Sequence, residues 1–86
     1  MPHIIVKMYP GRSEQQKARL AEAIVKDVMA ITNVGDDAVS VTIEEVKPVD
    51  WAEKVYKPDI VNGAGKLYKK PGMILFDSLG MDRLIS

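Results

Sequence analysis

The chain has no cysteine and only one histidine, one tryptophan and one phenylalanine among its 86 residues. Without cysteine there can be no disulfide and no thiolate metal site. A lone His3, with no second histidine, offers no metal site either. Long apolar runs are missing: nothing approaches the ~20 residues that span a bilayer. Net charge is missing as well, because twelve basic residues balance twelve acidic ones. That argues against a nucleic-acid binder working by phosphate neutralisation. The opening segment, MPHIIVKMYPGR, is interrupted too soon for a secretory signal, so the expected location is cytoplasmic. Hydrophobic residues make up 47% and charged residues 28%, as in a soluble globular protein. A chain this short buries little of its own surface. Self-association is the expected source of further buried area.

Proline directly after Met1 is the most informative feature present. If Met1 is removed, the Pro2 nitrogen becomes a secondary amine instead of an amide. A free α-amino group titrates near ~8, close to the pH at which a general base works best. The bland alternative is a proline that merely starts a strand.

His3 to Tyr9 is rich in β-branched and aromatic residues and reads as a first strand, ended by Pro10-Gly11. Ser13 and Gln16 form a capping box before a helix expected over 14–32. Leu20, Ile24, Val28 and Ile31 make its apolar stripe, widened by Ala21 and Val25, with Lys17 facing water. Asn33 or Gly35 is its C-cap. Residues 38–46 alternate, with Val39, Val41 and Ile43 on one face and Ser40, Thr42 and Glu44 on the other. This is a second strand, parallel to the first through a right-handed crossover. The expected fold class is α/β (α+β): a βαβ subunit with two parallel strands, one long helix and short C-terminal helices. One helix covers one sheet face, so oligomerisation should complete the sheet. A short helix is expected from Asp50, cut or kinked at Pro58, and a second over 59–70. The division expected is a domain over 1–72 and an apolar extension over 73–86.

Three residues carry the candidate chemistry. Pro2 is the candidate base. Arg12 follows the first strand and can hold a carboxylate bidentately beside a helix N-terminus. Taken alone it reads as a solvated loop arginine. Placed near Pro2, its charge would disfavour the protonated amine. Trp51 follows the second strand as either the apolar wall of a pocket or a core or interface residue. Strand alternation sends His3 to the face opposite Pro2. Tyr9, Tyr56 and Tyr68 could each donate to a substrate oxygen, and nothing in the sequence picks one.

Pro2, the strand Ile4–Tyr9 and the run Gly11-Arg12-Ser13-Glu14-Gln15-Gln16-Lys17 at the helix start resemble the 4-oxalocrotonate tautomerase family. The resemblance covers about residues 2–56. From Trp51 to Lys69-Lys70-Pro71-Gly72 it looks closer to the small dimeric branch acting on phenylpyruvate-like enols. The resemblance implies a cofactor-free enzyme that assembles as a dimer or a trimer of dimers. It implies Pro2 as general base and then acid, Arg12 as the carboxylate-binding arginine and Trp51 as an aromatic pocket residue. Hexameric members carry a second arginine in the second strand. Here that position is Ser40, and nearby Thr42 is also uncharged, which favours a monocarboxylate over a dicarboxylate.

The expected function is therefore an enol–keto tautomerase of 2-hydroxy-2-enoates such as phenylenolpyruvate. A homodimer is favoured, with a hexamer as the alternative, and neither nucleic acid nor membrane is an expected partner. Two other classes remain: a hydratase-like dehalogenase, for which Glu44 or Glu45 would have to activate water, and a non-catalytic ligand- or protein-binding module.

Overall fold

The computed structural model describes residues 1–72, 74–76 and 82–84. The chain divides into two compact units, Met1–Val46 and Lys47–Ser86.

The first unit is the βαβ element. Strand β1 (His3–Met8) and strand β2 (Ser40–Glu45) pair in parallel, from His3 opposite Ser40 to Met8 opposite Glu45. Helix α1 (Glu14–Thr32) connects them. The alternation expected over 38–46 is present in β2, and β1 alternates too. Ile4, Val6 and Met8 of β1 and Val41 and Ile43 of β2 are half-buried, whereas His3, Ile5, Ser40, Thr42 and Glu44 between them are exposed. Side chains of a strand alternate between faces, so one sheet face meets the helix and the other stands open. Ile5, 52% exposed, sits on that open face. Residues 36–38 form a 3₁₀ turn before β2, so the second strand starts at Ser40 and not at Ala38.

Both ends of α1 are fixed locally. Ser13 Oγ accepts the Gln16 backbone N–H at 3.0 Å, and Gln16 Oε1 accepts the Ser13 N–H at 2.9 Å. At the far end Asn33 adopts the left-handed conformation (φ 60°) and donates its N–H to the Met29 carbonyl. Leu20, Ala21, Ile24, Val25 and Val28 are half-buried, but Ile31 is 82% exposed, against the expected stripe. Nineteen helical residues span about 28 Å, whereas six strand residues span about 20 Å. The last helical turn therefore overhangs the sheet. None of the helix residues is fully buried, and Val46 is the only buried hydrophobic residue described in this unit. The two-stranded sheet is not closed within one chain.

The second unit begins with a 3₁₀ turn over Pro48–Asp50 and continues as helix α2 (Ala52–Val61). Sequence reasoning expects Pro58 to cut or kink this segment and a second helix to follow over 59–70. Instead one helix runs through Pro58 with π-type hydrogen bonding, as in the Asn62 N–H to Lys57 carbonyl bond at 2.9 Å. Proline removes an i→i−4 donor and its ring crowds the carbonyl four residues back. The wider π turn gives the ring room, although the missing donor is not replaced. After Val61 no helix forms through Lys70, consistent with the weakness of Gly63 and Gly65 as helix formers. Val55 is buried in this unit. Further on, β3 (Ile74–Phe76) and β4 (Asp82–Leu84) pair antiparallel. The expectation that the apolar extension over 73–86 packs on a subunit falls on side chains outside the described residues.

Candidate active site

Pro2 stands just before β1 and is half-buried. Its carbonyl accepts the Ser40 N–H at 3.2 Å, the first bond of the parallel ladder. One residue on, His3 Nδ1 lies 2.6 Å from Ser40 Oγ, across the strand pair on the open face. The end of the chain that carries the candidate base is thus tied to β2 by two successive residues.

Arg12 lies at the other end of β1. The chain leaves Met8 through Tyr9-Pro10 and turns at Gly11, whose φ of +123° is strained for any residue with a Cβ. Arg12, Gln16 and Lys17 then line a cleft of about 210 Å³ with Met8 and Leu20. This is smaller than the ~300–1,000 Å³ usual for ligand pockets. Its floor is apolar and its rim polar and cationic.

The two cations of the rim differ. Lys17 Nζ lies 3.0 Å from Glu14 Oε1 and 3.3 Å from Glu45 Oε2. These bonds, Glu14 first and Glu45 second, raise the Lys17 pKa above its ordinary value. Sequence reasoning placed Lys17 in water, yet its side chain is only 18% exposed. The spacing from Glu14 is a local signal for the first contact, whereas Glu45, twenty-eight residues away, is brought there only by the sheet register. Arg12 has no carboxylate partner among the described residues. An anion in the cleft would meet that guanidinium and the start of α1, where free N–H groups favour negative charge.

The structure does not bring Pro2 and Arg12 together within one subunit. Strand β1 stands between them: six steps of ~3.3 Å put Pro2 about 20 Å from Met8, and Arg12 lines the cleft at the Met8 end. Lys17 paired with Glu45 confirms that the start of α1 lies at the Met8 end, because Glu45 stands opposite Met8. Trp51 belongs to the second unit, where it is half-buried and caps the 3₁₀ turn by donating its N–H to the Pro48 carbonyl. Of the three tyrosines, Tyr68 is 87% exposed, with Lys66 Nζ 5.2 Å from its ring centroid. Lys69 and Lys70 are exposed. No group of three or more His, Asp or Glu among the described residues could hold a metal ion.

Comparison with known proteins bears on this arrangement. The family model described as tautomerase enzyme matches residues 2–55. A probable tautomerase of Xylella fastidiosa is 43% identical over 72 residues, covering 84% of this chain and 88% of that protein. Tautomerase PptA of Pectobacterium carotovorum is 38% identical over 73 residues, covering 84% of this chain and 96% of its own length. Among solved structures, TomN, a 4-oxalocrotonate tautomerase homologue of the tomaymycin biosynthetic pathway, superposes with a TM-score of 0.57 at 36% identity. That match covers 58% of this chain and 77% of TomN. A heterohexamer 4-oxalocrotonate tautomerase from Chloroflexus aurantiacus gives 0.58 at 35% identity, covering 63% of this chain and 87% of that one. With the parallel βαβ unit, the capped helix start and a proline at its second position, the chain belongs to the 4-oxalocrotonate tautomerase family and is an isomerase of the tautomerase type.

Proposed function

We propose that the protein interconverts enol and keto forms of 2-hydroxy-2-enoate monocarboxylates, phenylenolpyruvate among them, with Pro2 as the acid–base group. The observation that carries this reading is the charge pattern of the cleft. In the cleft Lys17 is occupied by two carboxylates and Arg12 has none among the described residues; outside it, Ser40 and Thr42 on the open face of β2 add no charge. One free cation suits one carboxylate.

After removal of Met1, the neutral Pro2 nitrogen takes the proton of the enol hydroxyl. The C2–O bond becomes a carbonyl while the C2=C3 electron pair moves to C3. The prolinium returns a proton to C3, giving the 2-keto acid and regenerating the amine. No electron or group leaves, so the step needs no cofactor. Arg12 binds the carboxylate and stabilises the negative charge that builds on the enolate. Since β1, about 20 Å long, stands between Pro2 and Arg12 of one subunit, Arg12 is supplied by a neighbouring copy. Trp51 contributes an apolar wall to the pocket. The dehalogenase alternative would need a free carboxylate to activate water, and Glu45 is engaged by Lys17.

A homodimer is the favoured assembly, because residues 48–61 are helical where hexameric relatives are expected to pack through a short β-hairpin. The antiparallel β3–β4 pair lies further along the chain. Light scattering that gave a hexamer would overturn the dimer. The cysteine-free composition suits a cytoplasmic enzyme, and no helix among the described residues is long and apolar enough to cross a membrane.

The test is turnover of phenylenolpyruvate by protein whose intact mass shows loss of Met1. Pro2→Ala should lower kcat by about 10²–10⁴-fold, the usual contribution of a positioned acid–base group. Turnover by Pro2→Ala at the parent rate would refute Pro2 as the base.

A further inference from the structure

We propose that Ser40 and His3 act together as positioning residues for the Pro2 nitrogen. The proposal rests on the reading of Pro2 as the base. A chain terminus ordinarily frays, and an acid–base group misplaced by about 1 Å can lose on the order of 10²-fold in rate. A terminal proline used as a base therefore needs an anchor.

Ser40 supplies one from both its main chain and its side chain. Its N–H donates to the Pro2 carbonyl at 3.2 Å, and its Oγ lies 2.6 Å from His3 Nδ1. The first bond fixes the carbonyl plane of Pro2. The pyrrolidine ring carries the nitrogen as part of one rigid piece with Cα. With the carbonyl held, a single torsion, about Cα–C, is left to set the direction of the nitrogen. The second bond holds the next residue against rotation out of the ladder. It survives a change of tautomer or protonation at His3, because the serine hydroxyl can donate to Nδ1 or accept from it.

The face geometry keeps this anchor away from the chemistry. His3 and Ser40 are opposite each other on the open face, whereas alternation turns the preceding residue, Pro2, the other way. The pair therefore holds the strand start from the face opposite Pro2. In relatives with an arginine at this position the side chain would bind substrate. Here the position carries a short hydroxyl that reaches only its cross-strand neighbour. Ile4 and Val41, the next pair along, carry no polar group and cannot substitute for it.

The experiment uses full-length protein shown by intact mass to lack Met1. Ser40→Ala, His3→Ala and the double variant are compared with the parent for kcat, KM, and hydrogen exchange of the residue 40 amide. Each single variant is expected to lose about tenfold in kcat, within the range set by small misplacements. KM should stay within about twofold, and the amide should exchange faster. The double variant should be no worse than either single one, since both break the same bond. Ser40→Thr, which keeps the hydroxyl, should restore kcat and guards against a variant that merely folds poorly. Parent kcat in Ser40→Ala, or a loss appearing only in KM, overturns the proposal. If Pro2→Ala abolishes turnover while Ser40→Ala does not alter it, the anchor fails and the base stands. If Pro2→Ala remains active, both fail.

Discussion

Two inactive variants should rescue each other. Pro2→Ala removes the proposed base and Arg12→Ala the proposed carboxylate clamp, and each alone should lower kcat/KM of phenylenolpyruvate turnover by at least about 10²-fold. Strand β1, about 20 Å long, stands between these residues in one subunit, so a working site must draw them from different copies. The yield of rescue follows from counting sites. In an equimolar mixture that exchanges subunits freely, a site has an intact Pro2 half the time and an intact Arg12 from its neighbour half the time. About one quarter of parental activity should return, for any closed assembly in which each site lies between two copies. The assay mixes the purified variants under mild denaturant, removes it by dialysis, and follows enol loss by ultraviolet absorbance. Parallel refolding of each variant alone gives the baseline. If both residues served the same subunit, every site would carry one defect and nothing would return. Absence of rescue, with subunit exchange verified by mass-tagged copies, refutes the separation argument.

Two further predictions concern the frame around the cleft. Ser13→Ala removes the hydroxyl that accepts the Gln16 N–H at 3.0 Å. It should cost about 1 kcal/mol of stability by chemical denaturation, and it should weaken carboxylate binding by fraying the segment that carries Arg12. Lys17 has a raised pKa in the folded state, through Glu14 first and Glu45 second. Its pairing is fully present below the ordinary lysine value of 10.5 and is lost as pH rises through the higher folded value. Thermal melts of the parent should therefore show an alkaline decline above 10.5 that is shallower in Lys17→Met.

The first half of the chain is unusually legible because its signals are local. The capping box needs only Ser13 and Gln16, the C-cap only an Asn33 able to adopt positive φ, and the strands only a period of two. Helix α1 accordingly runs from Glu14 to Thr32, as its pattern predicts. Legibility fails where geometry depends on length or on partners distant in sequence. Ile31 belongs to the apolar stripe by spacing, yet the sheet is too short to reach it. Around Pro58, sequence rules predict a break, whereas the helix widens to a π turn and continues. Whether proline stops or merely widens a helix depends on packing that no local rule contains.

The candidate site divides in the same way. The sequence by itself determined the chemistry available: a proline that becomes an amine if Met1 is removed, an arginine at a helix start, and no cysteine or histidine pair for other catalysis. These are properties of residue type and order. Only the tertiary structure decided how they are disposed. Register set Ser40 opposite His3 and against the Pro2 carbonyl, and it brought Glu45 to Lys17, so that of the two cations lining the cleft Arg12 has no carboxylate partner among the described residues. A rigid strand also keeps Pro2 and Arg12 apart. Residues close in sequence can be held far apart by an extended backbone, while residues far apart in sequence meet wherever the ladder pairs them.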